Sequence, residues 1–261
     1  MMQQKIYVSI SSIFDKHDCL IKSLQSIARQ TLKPDACFVN LCEHPHNFDK
    51  GFKDKKLPEK LKKYIDGNKL FSLRWVENTG AFCKLLPTLE NKKNEDCVII
   101  TVDDDGEYHP KMIEKYLESY EKYNCVICSR CYNMDCATWD DMRYNNRNKI
   151  DDKCRHSIKN FHTGKGGVLF HPKFFKDSWK HLFNASIYQS CCPHNDDIWF
   201  NFHRIINKVS CFAPDMQTTV KDYTNKFAKY SLFYTRNSLN NYNDKQILQT
   251  IKTLRMLGYN I

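Results

Sequence analysis

The sequence has no stretch of about 18 consecutive apolar residues, so no segment is predicted to cross a membrane as a helix. Its opening residues, MMQQKIYVSISSIFDK, reach charged side chains before any long apolar run. Neither a secretory leader nor a membrane anchor is therefore expected, and the chain is assigned to the cytoplasm. There is no HExxH pair, no GxSxG elbow and no GKS/T phosphate loop, which removes the signatures of zinc proteases, serine hydrolases and P-loop enzymes. TGKGG at residues 163–167 imitates a phosphate loop weakly and is read as a tight turn. No internal repeat is present.

What the chain does have is material for a packed core. Its 261 residues are 41% apolar and 13% aromatic, enough for one large domain with elaborations. Lysine and arginine outnumber the acids by 40 to 30. That excess can attract nucleic acid, an anionic surface or a phosphorylated ligand, and does not choose among them. The lysine-rich stretch 50–69 is read as a solvated loop and helix. The 13 cysteines are scattered and odd in number, which suits free thiols in a reducing compartment better than a disulfide framework.

Apolar patterning predicts strands over residues 5–11, 36–43, 72–76, 97–102 and 125–129. Between them a helix over 17–30 stacks Leu20, Leu24, Ile27 and Ala28, and another behind Pro110 stacks Ile113, Tyr116, Leu117 and Tyr120. Strands alternating with helices imply an α/β fold with a mainly parallel central sheet, whose ligands bind at the carboxyl ends of the strands. Residues 133–162 lose the pattern and are read as a long polar excursion over the substrate or the surface. GGVLFHP restores a strand, Pro172 opens a helix to about Asn184, and Asp196 begins one with Ile198, Phe202, Ile205 and Ile206 on its apolar stripe. A last helix spans 244–256, with Ile247, Leu248, Ile251 and Leu254 as one face.

Three adjacent carboxylates, Asp103, Asp104 and Asp105, end the 97–102 strand, where their repulsion calls for a cation. A hard divalent ion, Mn2+ or Mg2+, suits such oxygen ligands and leaves coordination positions for phosphates. The same acids would serve nucleotidyl or phosphoryl transfer, or form an exposed turn. Asp196 and Asp197 stand at a helix start, where they either stabilise the N-terminus or act on a proton. A competing constellation is Cys125, Cys128, Cys131 and Cys136, with Cys154 and His156 beyond. Such spacing can bind zinc, but odd separation in a strand sends Cys125 and Cys128 to opposite faces, so they are read as strand thiols. Adjacent Cys191 and Cys192 are read as ordinary buried thiols.

The stretches VSISSIFDKHDCLIKSLQSIARQTLKPDACFVNL and IITVDDDGEYHPKMIEKYLESYEKY resemble the opening and the metal-binding motif of GT-A glycosyltransferases related to family 2. NTGAFCKLLPTLE, GGVLFHP and NDDIWF resemble later motifs of that group. The resemblance implies a GT-A-like, Rossmann-like fold with an acceptor-side extension. It implies a single domain over 1–261, with 1–131 holding the nucleotide-sugar and 132–261 the acceptor. It places Ser9, Ser11, Ser12 and Glu43 at the base and ribose, Lys84 near the nucleotide, and Asp103, Asp104 and Asp105 at the ribose and metal. Many members have aspartate where Glu43 stands. Asp197, or Asp196 beside it, would be the catalytic base. The expected enzyme is an inverting, metal-dependent glycosyltransferase taking a nucleoside diphosphate-sugar, UDP first, to a glycan, protein or lipid hydroxyl. Its alternatives are a metal-dependent nucleotidyltransferase and a basic nucleic-acid-binding protein with cysteine-bound zinc; no nucleic-acid partner is expected.

Overall fold

The computed structural model describes residues 4–134, 136–150, 155–237 and 239–261. In chain order it forms β1 (Lys5–Ser11), α1 (His17–Ala28), β2 (Ala36–Cys42), α2 (Glu59–Asp66), β3 (Phe71–Val76), α3 (Leu86–Lys92), β4 (Cys97–Val102), β5 (Gly106–Tyr108) and α4 (Met112–Tyr123). There follow β6 (Val126–Met134), β7 (Arg147–Lys149), β8 (His156–Ser157), β9 (Asn160–Phe170), α5 (Trp179–Leu182) and α6 (Ala185–Cys191). The last elements are α7 (Asp196–Ile206), β10 (Cys211–Phe212), β11 (Thr219–Asp222) and α8 (Tyr242–Met256).

Nine strands make one sheet in the order β3-β2-β1-β4-β9-β6-β10-β8, with β7 beside β6. Pairs β1–β2, β1–β4, β2–β3 and β6–β10 are parallel, whereas β9 runs against both β4 and β6. Strands β1 to β4, β6 and β10 thus share a direction, and the sheet is mostly parallel. Helices cover it, so β4 is buried along its whole length and reads as a continuous apolar run. Each fully buried Val or Ile of β4 contributes roughly 1.5–3 kcal/mol. In register, Ile10 of β1 lies between Val39 of β2 and Val102 of β4. The three strands therefore finish together, and the residues that follow them collect at one sheet edge.

Four expectations are corrected. The polar stretch 133–162 is not wholly a loop: β6 runs on to Met134, and β7, β8 and the start of β9 lie inside it. These strand segments carry polar pairs, such as Asn133 Nδ2 donating to Asn160 Oδ1 at 3.0 Å, and so lack apolar alternation. TGKGG lies within β9 instead of forming a turn. Gly166 has φ of 86°, and a Cβ there would come 2.5 Å from Ser129 Cβ, so the glycine lets β9 pass close to β6. The helix expected from Pro172 to about Asn184 is broken into a 3-10 segment (Pro172–Ser178) and the short α5, and α6 follows it separately. In α8, Ile247, Ile251 and Leu254 are buried, but Leu248 is 38% exposed.

Among the described residues no helix is long and apolar enough to cross a membrane. The twelve described cysteines are free and buried. Cys154 lies outside the described residues.

Candidate active site

Strand β4 delivers Asp103, Asp104 and Asp105 to the sheet edge, and two lysines meet them there. Lys16, on the 3-10 turn after β1, places Nζ 3.2 Å from Asp104 Oδ1 and 2.9 Å from Asp105 Oδ2. The Ser12 hydroxyl donates to Asp104 Oδ2 at 2.6 Å. Lys84, from the 3-10 turn before α3, puts Nζ 2.9 Å from Asp103 Oδ1 and 3.6 Å from Asp196 Oδ2. The buried Tyr108 hydroxyl accepts from Asp103 N at 2.7 Å and fixes the backbone at the bend.

The charges do not balance evenly. Burial would push the Asp103 carboxyl up, but the Lys84 charge and hydrogen bond hold it below its usual range. Asp105 is pushed up to about 6 by burial and by the charge of Asp104, despite Lys16. Burial opposes the charges of Lys16 and Lys84, and the surrounding carboxylates outweigh it, so both ammonium groups are held more firmly than usual.

The second acidic motif comes from α7. The Asn195 side chain caps that helix by accepting from Ile198 N, and Asn201 Nδ2 donates to Asp197 O (2.8 Å) and His162 O (2.9 Å), docking α7 on β9. Asp197 Oδ1 accepts from Gly164 N at 2.9 Å. Burial, then the charge of Asp196, pushes the Asp197 carboxyl up to about 7, with Lys84 working against them. Asp196 is raised too, chiefly by burial.

The two motifs meet at Gly164, where a Cβ would sit 2.6 Å from Lys84 Nζ and 3.6 Å from both Asp103 Oδ1 and Asp197 Oδ1. Hydrogen at that position leaves room for the lysine between the acids.

All of this opens on a cleft of about 390 Å³. Ser11, Ser12, Lys84, the three aspartates and Asp197 line it, whereas Asp196 lies behind, against Lys84. Two expected positions differ. Ser9 is fully buried and its hydroxyl donates to Lys84 O at 2.6 Å, so it supports the lysine's turn from beneath and does not face the cleft. Glu43 is off the lining and sits 3.7 Å from Lys55. Asp49 lines the cleft on that side instead, accepting from Gly51 N (2.9 Å) and Asn78 Nδ2 (3.0 Å).

Lys16, Arg130 and Arg147 are further lining residues that sequence reasoning missed. Arg130 had a signal, a charge directly after the apolar strand CVICS, and its Nε donates to Thr163 Oγ1 at 2.6 Å. Arg147 had none; its guanidinium lies over Tyr144 (4.1 Å) and Tyr132 (4.8 Å).

The carboxylates fit a hard divalent ion. Asp103 and Asp105 each keep one oxygen outside their lysine pairs, as ligands for such an ion require.

No family model matches the sequence, and no curated protein matches it. Among solved structures, the chain is similar to S. aureus TarS 1-349, with a TM-score of 0.53 and 13% identity over 96% of this chain and 71% of that one. The chain has the GT-A fold. TarS 1-349 in complex with UDP gives a TM-score of 0.50 at 12% identity, over 98% of this chain and 73% of that one. Against a longer TarS chain the TM-score is 0.51 at 12% identity, and 43% of that chain is covered. At such identities the likeness shows the GT-A fold alone.

Proposed function

We propose that the chain transfers a sugar from a nucleoside diphosphate-sugar, UDP-linked in the first instance, to an acceptor hydroxyl on a glycan, protein or lipid. One observation carries the reading: at Gly164 a lysine-paired acidic strand end meets a second carboxylate, Asp197, raised to about 7 and open to the same cleft. The first set suits a diphosphate, and the second suits a proton near neutrality. The GT-A fold and the UDP-bound form of TarS support a nucleotide-sugar as donor.

Residues 1–131 then hold the donor and 132–261 the acceptor, within one domain. Ser11 and Ser12 approach the ribose and base, and Asp49 takes the place first given to Glu43. Asp103 and Asp105 hold Mg2+ or Mn2+, with Asp104 anchored by Ser12 and Lys16. A bound divalent ion supplies positive charge for the departing diphosphate. Lys84 orients Asp103 and keeps Asp196 and Asp197 from repelling it. Asp197 removes the acceptor's proton on the face opposite the leaving group, so the anomeric carbon inverts.

Calorimetric titration with UDP, with and without Mn2+, tests the donor side. Tighter binding with the ion is expected, since the carboxylates otherwise repel phosphate. UDP binding that the ion leaves unchanged contradicts the metal assignment.

A further inference from the structure

Away from the cleft, three cysteines converge inside the sheet. Cys128 and Cys131 belong to β6, where plain alternation sends them to opposite faces. The β6–β9 register shifts between Cys128 and Arg130, and both sulfurs instead reach Cys211 of β10, at 3.4 and 4.0 Å. The three sulfurs lie within 4.8 Å of one another, and all are buried. Four-coordinate zinc with Zn–S bonds of about 2.3 Å requires S···S separations of about 3.8 Å, which these pairs bracket.

We propose that Cys128, Cys131 and Cys211 bind a structural zinc ion as thiolates.

Two neighbouring features bear on such a group. Arg204 of α7 is fully buried, and the acceptors of its hydrogen bonds are neutral: Asn201 Oδ1 and the carbonyls of Ile158, Asn160 and Val209. Among the described residues no carboxylate pairs with it in an ion pair. A buried guanidinium without a counter-charge is costly. Three thiolates around Zn2+ carry one net negative charge, which matches Arg204, and the thiol protons leave to solvent as the metal binds.

His162 of β9 is the second feature. It is paired in register with Cys131 and so shares its sheet face, it is fully buried, and neither ring nitrogen has a hydrogen-bond partner. Its nitrogens do not join the cluster of sulfurs within 4.8 Å of one another, so the ring borders the site and is not counted among its ligands. His156 is excluded by its exposed position and its packing on Tyr123 at 5.0 Å between ring centres.

The ion would staple β10, a strand of two residues, to β6, which carries Arg130 into the cleft.

Elemental analysis of the full chain, purified under reducing conditions without chelator, should find about one zinc per chain. Cys211→Ser should lose that zinc, and Cys37→Ala, in β2, should keep it. Should Cys211→Ser fail to fold, the wild-type chain stripped of metal and titrated with Co2+ should show intense thiolate-to-cobalt charge transfer with tetrahedral visible bands. A wild-type chain that lacks zinc and gives no cobalt–thiolate absorption overturns the proposal, as does a folded Cys211→Ser protein that retains its zinc.

Discussion

Replacing Asp197 by asparagine should stabilise the protein at alkaline pH and leave its stability unchanged in acid. The wild-type carboxyl, ordinarily near 3.8, sits near 7 in the fold because burial and Asp196 disfavour its charge. Below about pH 4 the group is protonated in both folded and unfolded chains and adds no pH dependence. As pH rises from 4 to 7, the unfolded chain releases this proton while the folded one keeps it, so wild-type stability falls. Above 7 the loss is complete. A displacement of that size corresponds to about 4 kcal/mol, a ceiling because one edge of Asp197 meets the solvent-filled cleft. Asparagine can still accept from Gly164 N, and Lys84 keeps Asp103 and Asp196 as partners, so no new buried charge is exposed. Differential scanning calorimetry of both proteins at pH 4.5 and pH 8 reads the effect: the variant's Tm advantage should grow with pH. An equal offset at both pH values would show that Asp197 ionises normally and would refute the electrostatic argument.

Further outcomes follow from the same geometry. Asp197→Asn should lower turnover by on the order of 100-fold to 10,000-fold while retaining UDP affinity, and Asp196→Asn should lose less, since only Asp197 lines the cleft; steady-state kinetics and calorimetry of both variants separate the roles. In the wild type, kcat/KM should rise with pH until Asp197 is ionised near 7 and then level off, whereas a profile flat from pH 5 to 8 contradicts Asp197 as base. Asp105→Asn should abolish most of the Mn2+ enhancement of UDP binding measured by titration. Gly164→Ala forces Lys84 Nζ away from a Cβ otherwise 2.6 Å distant, and the displaced lysine should cost on the order of 100-fold in turnover with the far-ultraviolet spectrum preserved.

The half of the fold that repeats strand and helix is legible because burial writes itself as apolar runs. β4 and the stripe of α7 show this plainly: Val98 to Val102 and Ile198, Phe202 and Ile205 are buried where the pattern puts them. β7, β8 and the start of β9 escape notice because short strands bearing Asn, Lys and His resemble loop. The acidic runs stand out as charges where an apolar element ends or begins. Of their lysine partners, Lys84 is marked by the resemblance alone and Lys16 by nothing, since it is one among many and only tertiary packing selects it. Ser9 misleads because a hydroxyl near a strand end can face ligand or core, and here it satisfies the carbonyl of Lys84. The meeting of Cys128 and Cys131 at Cys211 is not legible, because strict alternation fails where the β6–β9 register slips and no sequence signal marks that slip.

The central claim is that this cleft breaks a nucleotide-sugar at the sugar's anomeric carbon, and product analysis tests it most directly. The chain should be incubated with UDP-sugars and Mn2+, and separately with UTP and sugar 1-phosphates, and the phosphorus products resolved by 31P NMR. Release of UDP from a UDP-sugar, slowed in Asp197→Asn, is the expected result. Pyrophosphate released from UTP, with no UDP formed from any UDP-sugar, would contradict the account and make the acidic strand end the site of a nucleotidyl transfer.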